Sequence, residues 1–171
     1  MFDAIVEAAA AESPLWGEAA RPPEVQMRDP VFSRLGSDDH ALGLETMYEG
    51  YLVHYGHSRL FAPDDRDTAL LLGDYLYAHG LVRVAETGDV AAVADLAALI
   101  SLCAQSRAEG RDGDGAAWAA TSASLGKGGL DVARAALRKR GDSTVLDALA
   151  RVATDDRAVD AALAAHARLV G

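Results

Sequence analysis

The chain has a single cysteine, Cys103. An intramolecular disulfide and a thiolate zinc cluster are therefore excluded, and a reducing compartment fits. Proline is nearly absent beyond the first third: the five fall at Pro14, Pro22, Pro23, Pro30 and Pro63, so nothing after Pro63 is barred from helix on that account. Runs of β-branched residues are scarce as well, and Ala and Leu dominate, which favours helix over sheet. Positive charge is in deficit, with 16 Lys and Arg against 26 Asp and Glu and a net charge of −10. Gripping phosphates needs a basic face, so nucleic acid is not an expected partner. No apolar run reaches the roughly 18 to 20 residues that cross a bilayer. No charged start leading into an apolar segment and a cleavage site opens the chain. The expectation is a cytoplasmic protein with no membrane span.

What the chain does have is hydrophobic residues, 50% of 171, enough for one domain with a sizeable core. The expected fold class is all-α, an antiparallel helical bundle. Residues 1–36 read as short helical pieces and residues 37–171 as the bundle core. Phe2, Ile5, Val6 and Ala9 share one side of a first helix ending near Glu12. Ser13-Pro14 and Asp29-Pro30 look like helix starts, with Arg21-Pro22-Pro23 and Gly36 as the matching stops. Ser37 opens a long helix expected to reach Leu60, Asp65 the next, to Thr87, and Asp89 a third, to Ala108. After the loose Gly110–Gly115 loop, helices are expected over residues 116–125 and 130–139, then from Thr144 and from Asp155-Asp156 to Val170. Short connections between them imply antiparallel neighbours.

The centre of this pattern is the run Leu70 to Gly80, an almost unbroken apolar helix with one carboxylate, Asp74, in its middle. If buried, that charge needs a partner. Elsewhere, motifs for chemistry are thin. His54 and His57, three apart, are too few for a zinc site without a carboxylate beside them. Gly126-Lys127-Gly128-Gly129 lacks the strand and spacing of a phosphate loop and reads as a helix break. Ser122 and Ser124 sit in no nucleophile elbow. Asp155, Asp156 and Asp160 are the acids expected in a first helical turn, with magnesium binding there a minor alternative.

The segment from Met47 to Asp89 carries more. Leu52-Val53-His54 matches the start of an LxHDDxxD helix, Leu72-Gly73-Asp74-Tyr75-Leu76 matches an AGDYLL-like helix start, and Gly88-Asp89 matches the turn after it. Ala123 and Leu125 fall where a KTAxLF motif would lie. In these features the chain, over about Ala41 to Leu125, resembles the trans-prenyl (polyprenyl) diphosphate synthases, and the resemblance implies a shortened version of their all-α fold. It departs from them at the metal site: Tyr55, Gly56 and Arg59 stand where the family carries its three aspartates. Tyr, Gly and Arg cannot supply the oxygen ligands that magnesium requires. The diphosphate-gripping arginines and a second aspartate-rich helix are not recognisable either.

The resemblance therefore points to the small, non-catalytic subunit of a heterodimeric long-chain synthase. It implies no catalytic residue, metal or cofactor on this chain. Magnesium is expected on the partner, a full-length polyprenyl diphosphate synthase large subunit. Leu52, Tyr55, Leu72, Leu76 and His79 are the expected lining of a product tunnel or interface, and Asp74 a structural polar residue bonded to a neighbouring helix. The alternative is a degenerate homodimer or larger homo-oligomer that binds an apolar ligand or another protein. An independent enzyme built on His54, His57 and the Asp64-Asp65-Asp67 group is a third reading, weakened because those acids sit at a helix start.

Overall fold

The computed structural model describes residues 1–170. Among them the protein is all-helical, 73% helix with no strand. Nine helices follow in order: α1 (Phe2–Glu12), α2 (Pro14–Glu18), α3 (Asp38–Tyr55), α4 (Arg66–Ala85), α5 (Val90–Ala108), α6 (Asp114–Ala123), α7 (Asp131–Arg140), α8 (Thr144–Ala153) and α9 (Asp156–Val170). The starts follow local chemistry. Ser37, Asp65 and Asp89 each accept a backbone N–H of the first turn from Asp39, Thr68 and Ala92 respectively. Gly141, with φ 69°, takes the left-handed conformation that closes α7 after its Arg138-Lys139-Arg140 turn.

The bundle is centred on α6 and α3, not on α4. Every residue of α6 is buried, as is the run from Gly43 to Leu52 in α3. Helix α6 can be surrounded because its side chains are mostly Ala, Gly, Ser and Thr. Helices α5, α8 and α9 pack around it. Its one large side chain, Trp118, reaches across to Tyr48 and Tyr51 of α3, with ring centroids 5.1 and 5.6 Å away. Leu70 and Leu71 of α4, by contrast, are 53% and 58% exposed. A smaller core joins Phe2, Ile5 and Ala9 of α1 to Leu72 and Leu76 of α4.

Two expected helix limits move, for one reason: buried carboxylates on α3 capture backbone amides outside it. The long helix stops at Tyr55 instead of Leu60, and Gly56 follows in an extended conformation. Glu49 then accepts hydrogen bonds from Ser58 Oγ, Leu60 N and Arg59 Nε, holding 58–60 off the helix axis. Phe61 makes an isolated antiparallel bridge with Ala20. In the same way Glu45 Oε1 accepts from Val31 N and Ser33 N, so Asp29-Pro30 starts no α-helix and only a 3₁₀ turn over Ser33–Leu35 precedes Gly36.

Helix α5 is long and apolar enough to cross a membrane by length and composition, though 39% of that window is buried in the protein. Counting uninterrupted apolar runs misses it because Asp95 falls within it. That carboxylate is bonded to Arg134 at 2.9 Å, and Leu96, Leu99 and Leu102 lie in the core.

Candidate functional site

Glycine sets the contact between α3 and α4. A Cβ on Gly50 would lie 2.9 Å from the Gly73 carbonyl, and one on Gly80 would lie 2.8 Å from the Gly43 carbonyl. The two helices meet backbone to backbone at both places. One turn beyond Gly50, the His54 ring lies directly over Gly73, where a Cβ would stand 2.5 Å from Nε2. His54 Nε2 is also 3.2 Å from Asp74 Oδ1. The ring stacks on Tyr77 with centroids 5.2 Å apart. His54, Gly73 and Asp74 therefore form one joint: a ring seated in a glycine notch and held at its edge by a carboxylate.

This is not the buried charge that the apolar run suggested. The Asp74 side chain is 67% exposed, because Asp74 lies at the joint's solvent edge. Burial lowers the His54 pKa below its usual value, and the nearby Asp74 only partly counters it. The neutral imidazole is thus the form the joint favours.

The positions where the family resemblance would place magnesium ligands have structural work of their own. Tyr55 is the last residue of α3 and Gly56 its cap, with the Gly56 Cα packed against the Leu169 carbonyl of α9. Arg59 is 1% exposed. Its Nε donates to Glu49 at 2.9 Å, and its Nη1 to Glu45 at 2.8 Å and to the Asp29 carbonyl at 3.0 Å. Its guanidinium also lies 5.3 and 5.1 Å from the Phe2 and Tyr48 ring centroids. One cation between two fully buried carboxylates ties α1, α3 and the 29–33 segment together. Spacing along α3 pairs Glu45 with Glu49, but sequence reading passed over them because nothing local reveals that both side chains point inward.

The bundle interior holds a second polar group. Tyr51 donates to Asp114 Oδ2 and accepts from Arg107 Nε at 2.9 Å, and Arg107 also pairs with Asp114. Tyr48 Oη and His166 Nδ1 share a hydrogen bond at 2.9 Å, and His166 Nε2 lies 3.3 Å from Asp114 Oδ2. Burial works to raise the Asp114 carboxyl, but His166, Tyr51 and Arg107 outweigh it and hold it well below the usual carboxylate range. Phe32 completes the aromatic packing, 5.8 Å from Trp118 and 5.0 Å from Tyr48 between centroids. Cys103 sits beside this cluster, 1% exposed, and burial pushes its thiol pKa far up.

The expected lining residues are not gathered round one space. Leu52, Leu72 and Leu76 have no exposed surface. Leu52 belongs to the larger core and the other two to the smaller. Tyr55 is half-buried beside Tyr51, and His79 stacks on Tyr75 with centroids 5.2 Å apart. The reason is the α4 face: Leu72 and Leu76 pack with Phe2, Ile5 and Ala9 of α1, while Leu52 and Tyr55 on α3 pack with the larger core. His57 lies beyond the end of α3, so it shares no helix face with His54. Asp65 accepts from Thr68 N and Oγ1 as a cap. Among the described residues no group of three or more His, Cys, Asp or Glu is placed to hold a metal.

Clefts open elsewhere. One of about 380 Å³ lies between Met27, Val31, His57, Ala165 and Leu169, with Arg59 and Arg168 in its wall. Another, of about 310 Å³, lies between Ser37, His40, Ser122 and Lys127. No protein-family model, curated protein or solved structure matches the chain.

Proposed function

We propose that this chain is the non-catalytic small subunit of a heterodimeric polyprenyl diphosphate synthase, a helical body that a catalytic large subunit needs in order to build its product. The observation that carries this reading is the joint between α3 and α4. The residues by which the sequence resembles the synthases, His54 on one side and Gly73-Asp74 on the other, are in mutual contact at 3.2 Å between His54 Nε2 and Asp74 Oδ1. A scaffold kept through a contact of this kind can outlive the loss of catalysis, since the contact serves helix packing and no reaction step. Support also comes from Arg59, bonded to Glu45 and Glu49 in place of any ligand role. Within the bundle, Trp118, Phe32, Tyr48 and His166 pack against one another and fill the interior. An elongating product would then run in the partner or between the two chains, with magnesium bound on the partner.

The experiment is co-expression with a full-length polyprenyl diphosphate synthase from the same genome, followed by assay of isopentenyl diphosphate incorporation with magnesium. Long-chain product from the two together, and from neither alone, is the expected result. A synthase fully active by itself that never binds this chain would refute the reading. So would magnesium-dependent synthesis by the isolated chain.

A further inference from the structure

Arg59 is a buried cation with one nitrogen left over. It is 1% exposed, and its Nε and Nη1 are bonded to Glu49, Glu45 and the Asp29 carbonyl. Its Nη2 has no hydrogen-bond partner among the described residues. A guanidinium carries only donors, so what Nη2 lacks is an acceptor. Burial works against the Arg59 charge, but Glu45 and Glu49 outweigh it and raise the pKa above its usual value, so the group does not escape by losing a proton. An unbonded N–H on a buried charged group is costly, and native proteins keep few of them. Trp118 Nε1 is unpartnered too, but it lies in a filled core, whereas Arg59 lines the cleft of about 380 Å³.

The rest of that cleft is apolar and firm. Met27, Val31, Ala165 and Leu169 form its walls. Met27 N donates to the Arg59 carbonyl at 3.3 Å and His57 N to the Leu169 carbonyl at 2.7 Å, which stitches the 27–31 segment to the 57–59 segment and that segment to α9. The volume falls within the range of small-molecule sites, about 300 to 1,000 Å³. At the mouth, exposed Arg168 and Asp29 carry opposite charges.

We propose that this cleft binds an uncharged small molecule with an apolar body and one carbonyl or ether oxygen, the oxygen accepting from Arg59 Nη2 at the cleft floor. The floor decides the ligand's charge. Glu45 and Glu49, both fully buried, already sit on the one guanidinium at 2.8 and 2.9 Å, so an anionic head would place a third negative group beside two that water does not screen. An ammonium brings only donors and cannot bond to Nη2. A neutral oxygen meets the donor without either penalty, and the walls take the hydrocarbon.

The test titrates the isotope-labelled free chain, near neutral pH, with three probes of one size: methyl hexyl ketone, octanoate and octylammonium. The ketone should shift the backbone amides of Met27, Val31, Ala165 and Leu169 and the Arg59 guanidinium N–H signals together and saturably in NMR spectra. It should bind about tenfold or more tightly than either charged probe. Met27→Trp and Ala165→Trp, at an exposed and a half-buried wall position, should each abolish that binding by filling the cleft. Val132→Trp on α7, where Val132 is 83% exposed and outside the cleft, should leave it unchanged. Thermal melts check that each variant folds. A ketone that saturates no site up to its solubility overturns the proposal, as does binding that survives both wall variants or leaves the Arg59 signals unmoved. Octanoate bound as tightly as the ketone overturns the charge argument and the class of ligand with it. The titration needs no synthase, so this inference and the subunit reading fail separately.

Discussion

Replacing Gly73 with alanine tests the α3–α4 joint through a change of sign. In an ordinary helix interior, glycine to alanine stabilises by about 1 kcal/mol. Here the added Cβ would stand 2.5 Å from His54 Nε2 and 2.7 Å from Cδ2, and the three nearest atoms all belong to that ring. The ring is hemmed in, with Tyr77 5.2 Å away and Tyr55 5.6 Å away between centroids. Overpacking of this kind costs roughly 1 to 3 kcal/mol, so Gly73→Ala should lower stability by about 0 to 2 kcal/mol after the propensity gain. In a His54→Ala background the obstacle is gone, and the same substitution should raise stability by up to about 1 kcal/mol. The pair should therefore show a coupling of about 1 to 3 kcal/mol, measured from urea midpoints of the four proteins in a double-mutant cycle. If Gly73→Ala has the same effect in both backgrounds, the ring does not occupy the notch and the joint is misdescribed.

Arg59→Met strands Glu45 and Glu49, both fully buried, and should cost about 3 to 5 kcal/mol in urea unfolding; adding Glu45→Gln and Glu49→Gln should recover part of it. Trp118→Ala should cost about 3 to 5 kcal/mol. Trp118→Phe should cost clearly less, because the buried indole Nε1 has no hydrogen-bond partner to lose. The His54 pKa is lowered in the fold by burial, so its contribution is present above the unfolded value near 6.5 and lost as pH falls through the folded value. A thermal midpoint that drops on acidification below about pH 6.5, with a shallower drop in His54→Gln, is the expected outcome. The Cys103 thiol should resist alkylation in the folded chain and react only on unfolding, as mass spectrometry of iodoacetamide-treated protein would show.

Much of this fold is legible because helix ends are local chemistry. Ser37, Asp65 and Asp89 cap in the structure where their residue types and spacing say they should. The end of α3 is not legible in the same way, because it is set by Glu49 pulling in Leu60 N, a partner 11 positions away. The joint is half legible. The words LxH and GDYL can be seen in the chain, but the notch that explains the glycine needs the ring of another helix above it. Helix α6 escaped notice as the centre for the opposite reason. Alanine-rich helices read as unremarkable, yet small side chains are what permit a helix to be enclosed on every side, as all ten of its residues are. The apolar run in α4 misled because leucine count does not report burial: Leu72 is fully buried and its neighbours Leu70 and Leu71 are more than half exposed.

That contrast between α6 and α4 bears on how such a chain could work at all. A protein that encloses a product path must keep an open interior, and this chain fills its interior with Trp118, Tyr48, Tyr51 and Phe32 around a satisfied Asp114–Arg107–Tyr51 group. The apolar side chains it leaves uncovered are spread over several helices, Leu70, Leu71 and Val82 on α4, Val90 on α5, Val132 on α7 and Val152 on α8. A filled interior suits the proposed subunit role, in which the chain acts as a wall beside its partner's product path. Such a wall needs a stiff body, and the backbone-to-backbone contacts at Gly43–Gly80 and Gly50–Gly73 lock α4 to α3, whose run from Gly43 to Leu52 is buried.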